Sequence, residues 1–372
     1  MSASTSGRLG WTVITPPVAA IVLALSWGSH PEPLVAALIG VALIGAVLAG
    51  VHHAEVVAHK VGEPFGSLIL AVAVTVIEVG LIVMLMVSGN GETSTLARDT
   101  VFAAVMITVN GIVGLALVVA ALRHHLAIFN PEGTGSALAT VLALAGLTLV
   151  VPTFTTSEEG PVLTGSQLTF AALASLVLYG SFVFTQTVRH RDFFLPNTTS
   201  TPGGWTTHDD ADGDGHADPP TDRETWISVG LLVLSLVTVV GLAKVESYSI
   251  EDAVDGLGFP HAVVGVVIAM LVLAPESIAA VRAALSDRVQ ISLNLAYGSA
   301  MASIGLTIPA IAVASIWLEG ELALGLEPLQ LVLLAMSAVI GVLTVVPGRA
   351  KPLNGIVHLV LFAAFLLLTA AP

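Results

Sequence analysis

The chain of 372 residues is 55% hydrophobic, only 10% charged and 5% aromatic, and its mean hydropathy is +0.94. Soluble globular domains are about a quarter charged, so this composition excludes that class and predicts an integral membrane protein. The formal net charge of −14 argues against a nucleic-acid partner, whose phosphates require a basic face. The chain has no cysteine, which excludes disulfides, thiolate metal sites and iron–sulfur clusters.

Long apolar segments recur along the whole chain. A membrane-spanning helix needs about 20 mostly apolar residues, and the alternating pattern of a β-barrel is absent, so each segment is predicted to be a helix. The fold class predicted is therefore an all-α integral membrane protein with about eleven transmembrane helices. The predicted spans are 11–27, 33–52, 64–88, 99–122, 135–154, 163–188, 226–244, 261–285, 292–317, 326–346 and 354–371.

The basic residues indicate how the chain is oriented in the membrane. With the N-terminus placed in the cytoplasm, ten of the twelve lie on the inner side, and only Arg98 and Lys244 lie outside. The outer loops are acidic instead, over 158–159, 246–255 and 319–327. Because Lys and Arg are enriched in cytoplasmic loops, we predict a multi-pass protein of the cell (inner) membrane with its C-terminus outside.

One polar stretch divides the spans. Residues 189–225 are acidic and rich in Pro and Gly, which predicts a cytoplasmic linker. If the N-terminal helix within 1–32 is set aside, five spans precede the linker (33–188) and five follow it (226–372). A unit with an odd number of spans inserts upside down relative to its partner, so this division predicts two inverted five-helix repeats.

Two carboxylates lie deep within predicted spans. Glu78 is near the centre of the third helix and Glu276 is deep in the eighth, and these helices are the second members of the two repeats. A charge in the middle of a span is rare and costly, so each glutamate is a candidate functional residue. Inverted symmetry would bring both towards the midplane. The alternative for each is a protonated glutamic acid hydrogen-bonded between helices.

Polar and small residues accompany the two glutamates. Pro275 has no amide hydrogen and is predicted to interrupt the eighth helix just before Glu276, which frees backbone carbonyls. Oxygen-only ligands favour Ca²⁺, Mg²⁺, Mn²⁺ or alkali ions over zinc and copper. The predicted supporting ligands or lining residues are Thr75, Asn110, Pro275, Ser299 and Ser303, and Thr307 follows on the same polar helix. Glu63 is predicted either to gather cations at the cytoplasmic entrance or to complement the dipole of the third helix.

The segments around the glutamates form two motifs. The first runs from His59 through Gly-Glu-Pro-Phe-Gly-Ser to Glu78, and the second joins Pro275-Glu276 to the Ser-rich stretch 290–309. They resemble the two α-repeats of the cation/proton exchanger branch of the Ca²⁺:cation antiporter superfamily, of the bacterial calcium/proton and sodium/proton antiporter type. The resemblance implies that both glutamates bind cation or proton. Many relatives carry Gly-Asn before each glutamate, whereas this chain has Val-Thr-Val-Ile and Val-Leu-Ala-Pro and lacks those amide ligands.

The predicted function is proton-coupled cation antiport, with Ca²⁺ exported by alternating access at Glu78 and Glu276. The alternative is a Na⁺ or K⁺/proton antiporter that uses the same glutamates. An intramembrane enzyme is disfavoured because no His-Glu-x-x-His motif is present, and a channel usually requires symmetry around a pore from several subunits. No cofactor is expected. The expected partners are Ca²⁺, H⁺ and the lipid bilayer, and a homo-oligomer is compatible with the sequence.

Overall fold

The computed structural model describes residues 10–62, 65–88, 93–195, 220–317 and 321–372, and these are overwhelmingly helical. The α-helices are α1 Trp11–Ser26, α2 Pro33–Val61, α3 Phe65–Ser88, α4 Leu96–Met106, α5 Val113–His124, α6 Pro131–Ala145, α7 Val151–Phe154, α8 Gly165–Phe184, α9 Asp222–Gly256, α10 Ala262–Val272, α11 Ala274–Leu285, α12 Val289–Ala314, α13 Pro328–Val345 and α14 Pro352–Ala370.

Short elements complete the described structure. Two 3₁₀ helices lie at Thr93–Thr95 and Arg191–Phe194. Three π-helical turns, at Ile107–Ile112, Gly146–Val150 and Thr185–Arg189, continue α4, α6 and α8 respectively. Two-residue strands β1 (Ala127–Ile128) and β2 (Arg349–Ala350) pair antiparallel, with Ala127 opposite Ala350.

Local sequence signals fix several helix ends. Proline occupies the first turn of α2, α6, α13 and α14, where its missing amide hydrogen costs no helical hydrogen bond. The side chain of Asn130 caps α6, and Thr164 caps α8 in a reciprocal capping box with Gln167. Gly62 ends α2 at a φ of 74°, a conformation that an L side chain rarely adopts.

Several helical segments are long enough to cross a bilayer. Within the described residues, eight continuous segments pass on length and apolar composition when α4 with α5, and α6 with α7, are each counted as one through their π-helical turns, and α10 with α11 adds a ninth as a broken span. α1 and the apolar part of α3 (Ile69–Met84) are shorter. Each of the eleven predicted segments coincides with helix, so the all-helical membrane class is confirmed. The count of eleven crossings and the inverted repeat stay predictions.

The boundaries around the predicted linker differ from the sequence expectation. α9 runs 35 residues from Asp222 to Gly256, so the acidic stretch 246–255 is helical and not a loop, and Glu246 on it is only 6% exposed. On the other side, Phe194 is buried and packs edge-on against Phe182, with ring centroids 5.6 Å apart. Both ends of the linker are therefore helical. Residues 196–219 lie outside the described residues.

The chain divides into two compact units. The first comprises Met1–Ile77 with Pro219–Ser249, and the second comprises Glu78–Asp218 with Ile250–Pro372. The boundary on α3 falls directly before Glu78, and the boundary on α9 falls after Ser249. Both predicted candidates Glu78 and Glu276 therefore belong to the second unit.

In the first unit, polar contacts tie α2 to its neighbours. Lys60 near the end of α2 lies 2.7 Å from the Asp222 carboxylate at the start of α9. His53, which is buried, contacts the Ser228 hydroxyl of α9 at 3.2 Å and the Thr12 carbonyl of α1 at 3.0 Å. These contacts tie the C-terminal half of α2 to α1 and α9.

In the second unit, helices approach closely where glycines remove side chains. Gly114 on α5 faces Gly355 on α14, and a Cβ on Gly355 would lie 2.6 Å from the Gly114 carbonyl oxygen. Gly305 on α12 packs in the same way against Tyr179 on α8. Small residues allow such close approach between membrane helices. The third helix of each predicted repeat thus packs on the fifth helix of the other, a reciprocal pairing that an inverted repeat would produce.

We expect Gly355→Ala to lower the stability of the protein by about 1–3 kcal/mol, because the added methyl group would overlap backbone atoms of α5. Gly180→Ala on α8 is the matched control, since nothing lies within 4 Å of a Cβ there. Thermal unfolding of the purified protein in detergent measures both changes. Equal melting temperatures for the two variants would contradict the close approach of α5 and α14.

Candidate cation site

Glu78 is a buried carboxyl group on a predominantly apolar helix. It lies on α3 and is 4% exposed. The Ser303 hydroxyl of α12 donates a hydrogen bond to Glu78 Oε1 at 2.5 Å, across 225 positions of sequence. A carboxyl group removed from water requires such donors, because an unpaired polar group in an apolar medium is costly. The fold therefore supplies Glu78 with a hydroxyl from the second half of the chain.

The helix that faces Glu78 presents a polar stripe. Ser299, Ser303 and Thr307 are spaced by four residues along α12, so they lie on one face of that helix. Thr307 is fully buried, one turn after Ser303. Ser299 is partly buried, one turn before Ser303. The structure brings Ser303 to Glu78, and the role of this stripe as cation ligands stays a prediction.

Glu276 lies in the first turn of α11, directly after a break in its span. α10 ends at Val272, α11 begins at Ala274, and the two segments are bent by 53°. Pro275 has no amide hydrogen, so the Leu271 carbonyl loses its helical donor. The predicted interruption at Pro275 is confirmed. The N-terminus of α11, with its partial positive charge, lies next to the Glu276 carboxyl group.

Asn110 occupies the π-helical turn between α4 and α5, and its amide group bonds to two other helices. Its Nδ2 donates to the Ser337 hydroxyl of α13 at 2.8 Å, and its Oδ1 lies 3.2 Å from His358 Nδ1 of α14. All three residues are buried. π-helical turns are frequent at functional sites because they widen the helix locally. The described partners of Asn110 are therefore side chains of α13 and α14, together with the Met106 sulfur of α4, which lies 3.7 Å from Nδ2.

Two further residues were predicted for the site, Thr75 as a lining residue and Glu63 at the entrance. Thr75 is buried on α3, three residues before Glu78 and so on the adjacent turn of the same helix. Glu63, the predicted cytoplasmic entrance, lies outside the described residues. Within those residues, no cluster of three or more His, Asp or Glu side chains could hold a metal ion.

The structure also reveals a buried ion pair at the start of the fourth predicted span, where Arg98 was expected in an outer loop and Asp99 at the first position of the span. Arg98 Nε lies 2.8 Å from Asp99 Oδ1 within α4, and both side chains are about 5% exposed. The same guanidinium lies 3.1 Å from Glu327, and Gln330 Nε2 donates to Asp99 Oδ1 at 3.2 Å. The charge of Arg98 is thus paired within the protein.

His358 is the residue that sequence reasoning missed. It is fully buried on α14, which is otherwise an apolar spanning helix, and its Nε2 lies 3.1 Å from the Thr344 hydroxyl of α13. The expectation of an oxygen-only site within the spans overlooks this imidazole. A lone histidine in an apolar helix was the signal that could have identified it.

Membrane-length helices around a buried, hydroxyl-bonded carboxyl group are typical of proteins that carry ions across a bilayer. The chain belongs to the sodium/calcium exchanger protein family, whose model matches residues 32–188 and 227–371. It is a multi-pass membrane protein of the cation/proton exchanger branch of the Ca²⁺:cation antiporter superfamily. The family and branch predicted from the two motifs are therefore confirmed.

Known proteins resemble the chain over nearly its full length. It is 45% identical to y4hA of Sinorhizobium fredii, an ionic transporter by name, over 97% of this chain and 96% of that protein. It is 34% identical to the sodium-potassium/proton antiporter ChaA of Escherichia coli, over 94% of both chains. The crystal structure of the H⁺/Ca²⁺ exchanger CAX shares the fold, with a TM-score of 0.69 and 16% identity over 96% of this chain and 87% of that one.

We expect Ser303→Ala to weaken apparent cation affinity by about tenfold, because the Glu78 carboxyl group loses a buried hydrogen-bond donor. Ser175→Ala is the matched control, since Ser175 is equally buried but donates to the Ala171 carbonyl of its own helix. Cation uptake into proteoliposomes, measured over a range of cation concentrations, compares the two. Equal half-saturating concentrations in both variants would show that the Ser303 contact does not shape the site.

Proposed function

We propose that this protein is a proton-coupled cation antiporter that exchanges Ca²⁺ for protons at Glu78 and Glu276. The observation that carries the proposal is the burial of Glu78 against the hydroxyls of α12. The family supports antiport of cations as the class of activity. The helix break at Glu276 supports a second carboxylate with freed backbone carbonyls beside it.

Charge compensation supplies the coupling in this proposal. A buried carboxylate without a counter-charge is strongly disfavoured, so Glu78 is neutralised either by a proton or by a bound cation. The two ligands occupy the same oxygens and therefore exclude each other. If the site crosses between its inward-facing and outward-facing states only when neutral, each cation that moves one way is exchanged for protons that move the other way.

The broken helix contributes to cation binding. The end of α10 directs backbone carbonyls towards the break, and the start of α11 carries Glu276. Ca²⁺ accepts six to eight oxygen ligands in irregular geometry, whereas Mg²⁺ requires a near-octahedral cage and loses water reluctantly. Carboxylates, hydroxyls and carbonyls on separate helices match the requirements of Ca²⁺ better than those of Mg²⁺.

We expect Glu78→Gln and Glu276→Gln each to abolish proton-coupled cation uptake, since glutamine keeps the size of the side chain but cannot carry a negative charge or exchange a proton. Glu159→Gln, at an exposed position, is the control and should transport at the normal rate. Purified variants in proteoliposomes under an imposed pH gradient provide the measurement. A folded variant at either position with normal exchange would remove that glutamate from the site.

A second candidate function is Na⁺ (K⁺)/H⁺ antiport through the same two glutamates. It is favoured by the similarity to a sodium-potassium/proton antiporter over nearly the whole chain. The absence of Gly-Asn before each glutamate points the same way, because fewer strong ligands suit a less selective site. Two carboxylates, in contrast, balance the charge of a divalent ion.

Competition between cations distinguishes the two candidates. We expect Na⁺ to inhibit Ca²⁺ uptake competitively and to drive slower proton exchange of its own. Both Na⁺/H⁺ exchange and Ca²⁺ uptake should be lost in Glu78→Gln. Mg²⁺ should neither be transported nor compete. The measurement is uptake into proteoliposomes with both ions varied. Robust Na⁺/H⁺ exchange that saturating Ca²⁺ leaves unchanged would overturn the calcium assignment in favour of the second candidate.

The remaining sequence predictions complete the proposal. The protein would lie in the cell (inner) membrane with a cytoplasmic N-terminus, as the distribution of Lys and Arg indicates. Two inverted five-helix repeats would present the glutamates from opposite sides of the membrane. Transport would need no resident cofactor, because the proton gradient supplies the driving force.

A further inference from the structure

The last helix carries a titratable side chain for which the proposed exchange has no role. His358 is fully buried on α14, an apolar helix of membrane-spanning length. Polar side chains at such positions are expensive and normally pair with one another or serve a site. His358 pairs with Asn110, one of the residues predicted to line the cation site.

Hydrogen-bond directions in this network can be assigned. The Ser337 hydroxyl donates to the Leu333 carbonyl at 2.7 Å, so its oxygen is free to accept from Asn110 Nδ2. This contact places Asn110 Oδ1 towards His358. An amide oxygen only accepts, so His358 Nδ1 carries the hydrogen. In the neutral ring, Nε2 then accepts from the Thr344 hydroxyl.

The network holds a π-helical turn that contacts the helices of two candidate site residues. Residues Ile107–Ile112 contact α11, which carries Glu276, and α12, which carries Ser303. The same turn contacts α13 and α14, where Ser337 and His358 hold the Asn110 side chain. All of these elements belong to the second unit. The bonds to Asn110 therefore tie a turn that lies against α11 and α12 to α13 and α14.

We propose that His358 is a positioning residue of the cation site. Its Nδ1–H holds Asn110, and through Asn110 it holds the π-helical turn against the helices that carry Glu276 and Ser303. The inference rests on the proposed function. Loss of the Nδ1–H should loosen the ligand geometry, which raises the half-saturating cation concentration and leaves the maximal exchange rate largely unchanged.

Two amide variants separate the two ring nitrogens. In His358→Asn the amide nitrogen replaces Nδ1 and keeps a donor for Asn110, whereas in His358→Gln the donor lies near the position of Nε2. We expect His358→Asn to resemble wild type. We expect His358→Gln and His358→Leu to raise the half-saturating Ca²⁺ and Na⁺ concentrations about tenfold in proteoliposomes, as expected for one lost buried hydrogen bond.

Thr344→Val is the matched control. It removes the partner of Nε2 but leaves the bond between Nδ1 and Asn110. The half-saturating concentrations should therefore stay within about twofold of wild type, well below the effect expected when the bond to Asn110 is lost. Melting temperatures of all variants are measured in parallel. Folded variants with lowered melting temperatures but unchanged half-saturating concentrations would reduce His358 to a structural residue and overturn the proposal.

Two further outcomes are decisive. Impairment of His358→Asn equal to that of His358→Gln would show that the Nδ1 donor is not what matters, and this would also overturn the proposal. Wild-type protein without any cation exchange would refute the proposed function itself. If the wild-type protein exchanges cations normally and all three His358 variants keep its half-saturating cation concentrations, only the positioning role is refuted.

Discussion

The structure depends on one constraint, which is that a carboxyl group within a bilayer must be neutralised and hydrogen-bonded by the protein. Glu78 meets the second requirement through Ser303 of α12. The apolar interior of a bilayer does not solvate a free carboxylate. In the proposed mechanism, neutralisation comes from a proton or a cation, which is the chemistry that an exchanger requires. The same feature that would destabilise an inert protein would then be the basis of transport.

Close helix packing positions α12, the helix that carries the Ser303 hydroxyl. Lipid supplies little hydrophobic drive for association between helices, so small residues at the contacts matter. Gly305 lets α12 approach Tyr179 of α8, and Gly114 and Gly355 let α5 and α14 meet backbone to backbone. At Pro275, in contrast, the span is interrupted, and α10 and α11 are bent by 53°. The described part of the second unit therefore combines closely packed helices with a broken span.

Several buried polar groups away from Glu78 are likewise hydrogen-bonded or ion-paired. Arg98 is paired with Asp99 and Glu327, and His53 with Ser228 and Thr12. The Asn110–His358 network uses each donor and acceptor in a defined direction. Buried networks of this kind give a helix bundle a unique arrangement, since any shift leaves groups unpaired. Several of these contacts join elements that lie far apart in the sequence, so they also fix which helices are neighbours.

The sequence by itself determined the membrane class, the helices, the two deep glutamates and the break at Pro275. Each of these depends on local composition, on a single costly charge or on a missing amide hydrogen. It also identified the family, because the residues around Glu78 and Glu276 are local motifs. The tertiary structure decided that Ser303 faces Glu78, that Asn110 is held by His358, and that Arg98 is buried. Helical periodicity shows which residues share a face, but the packing of distant helices alone determines which side chain that face meets.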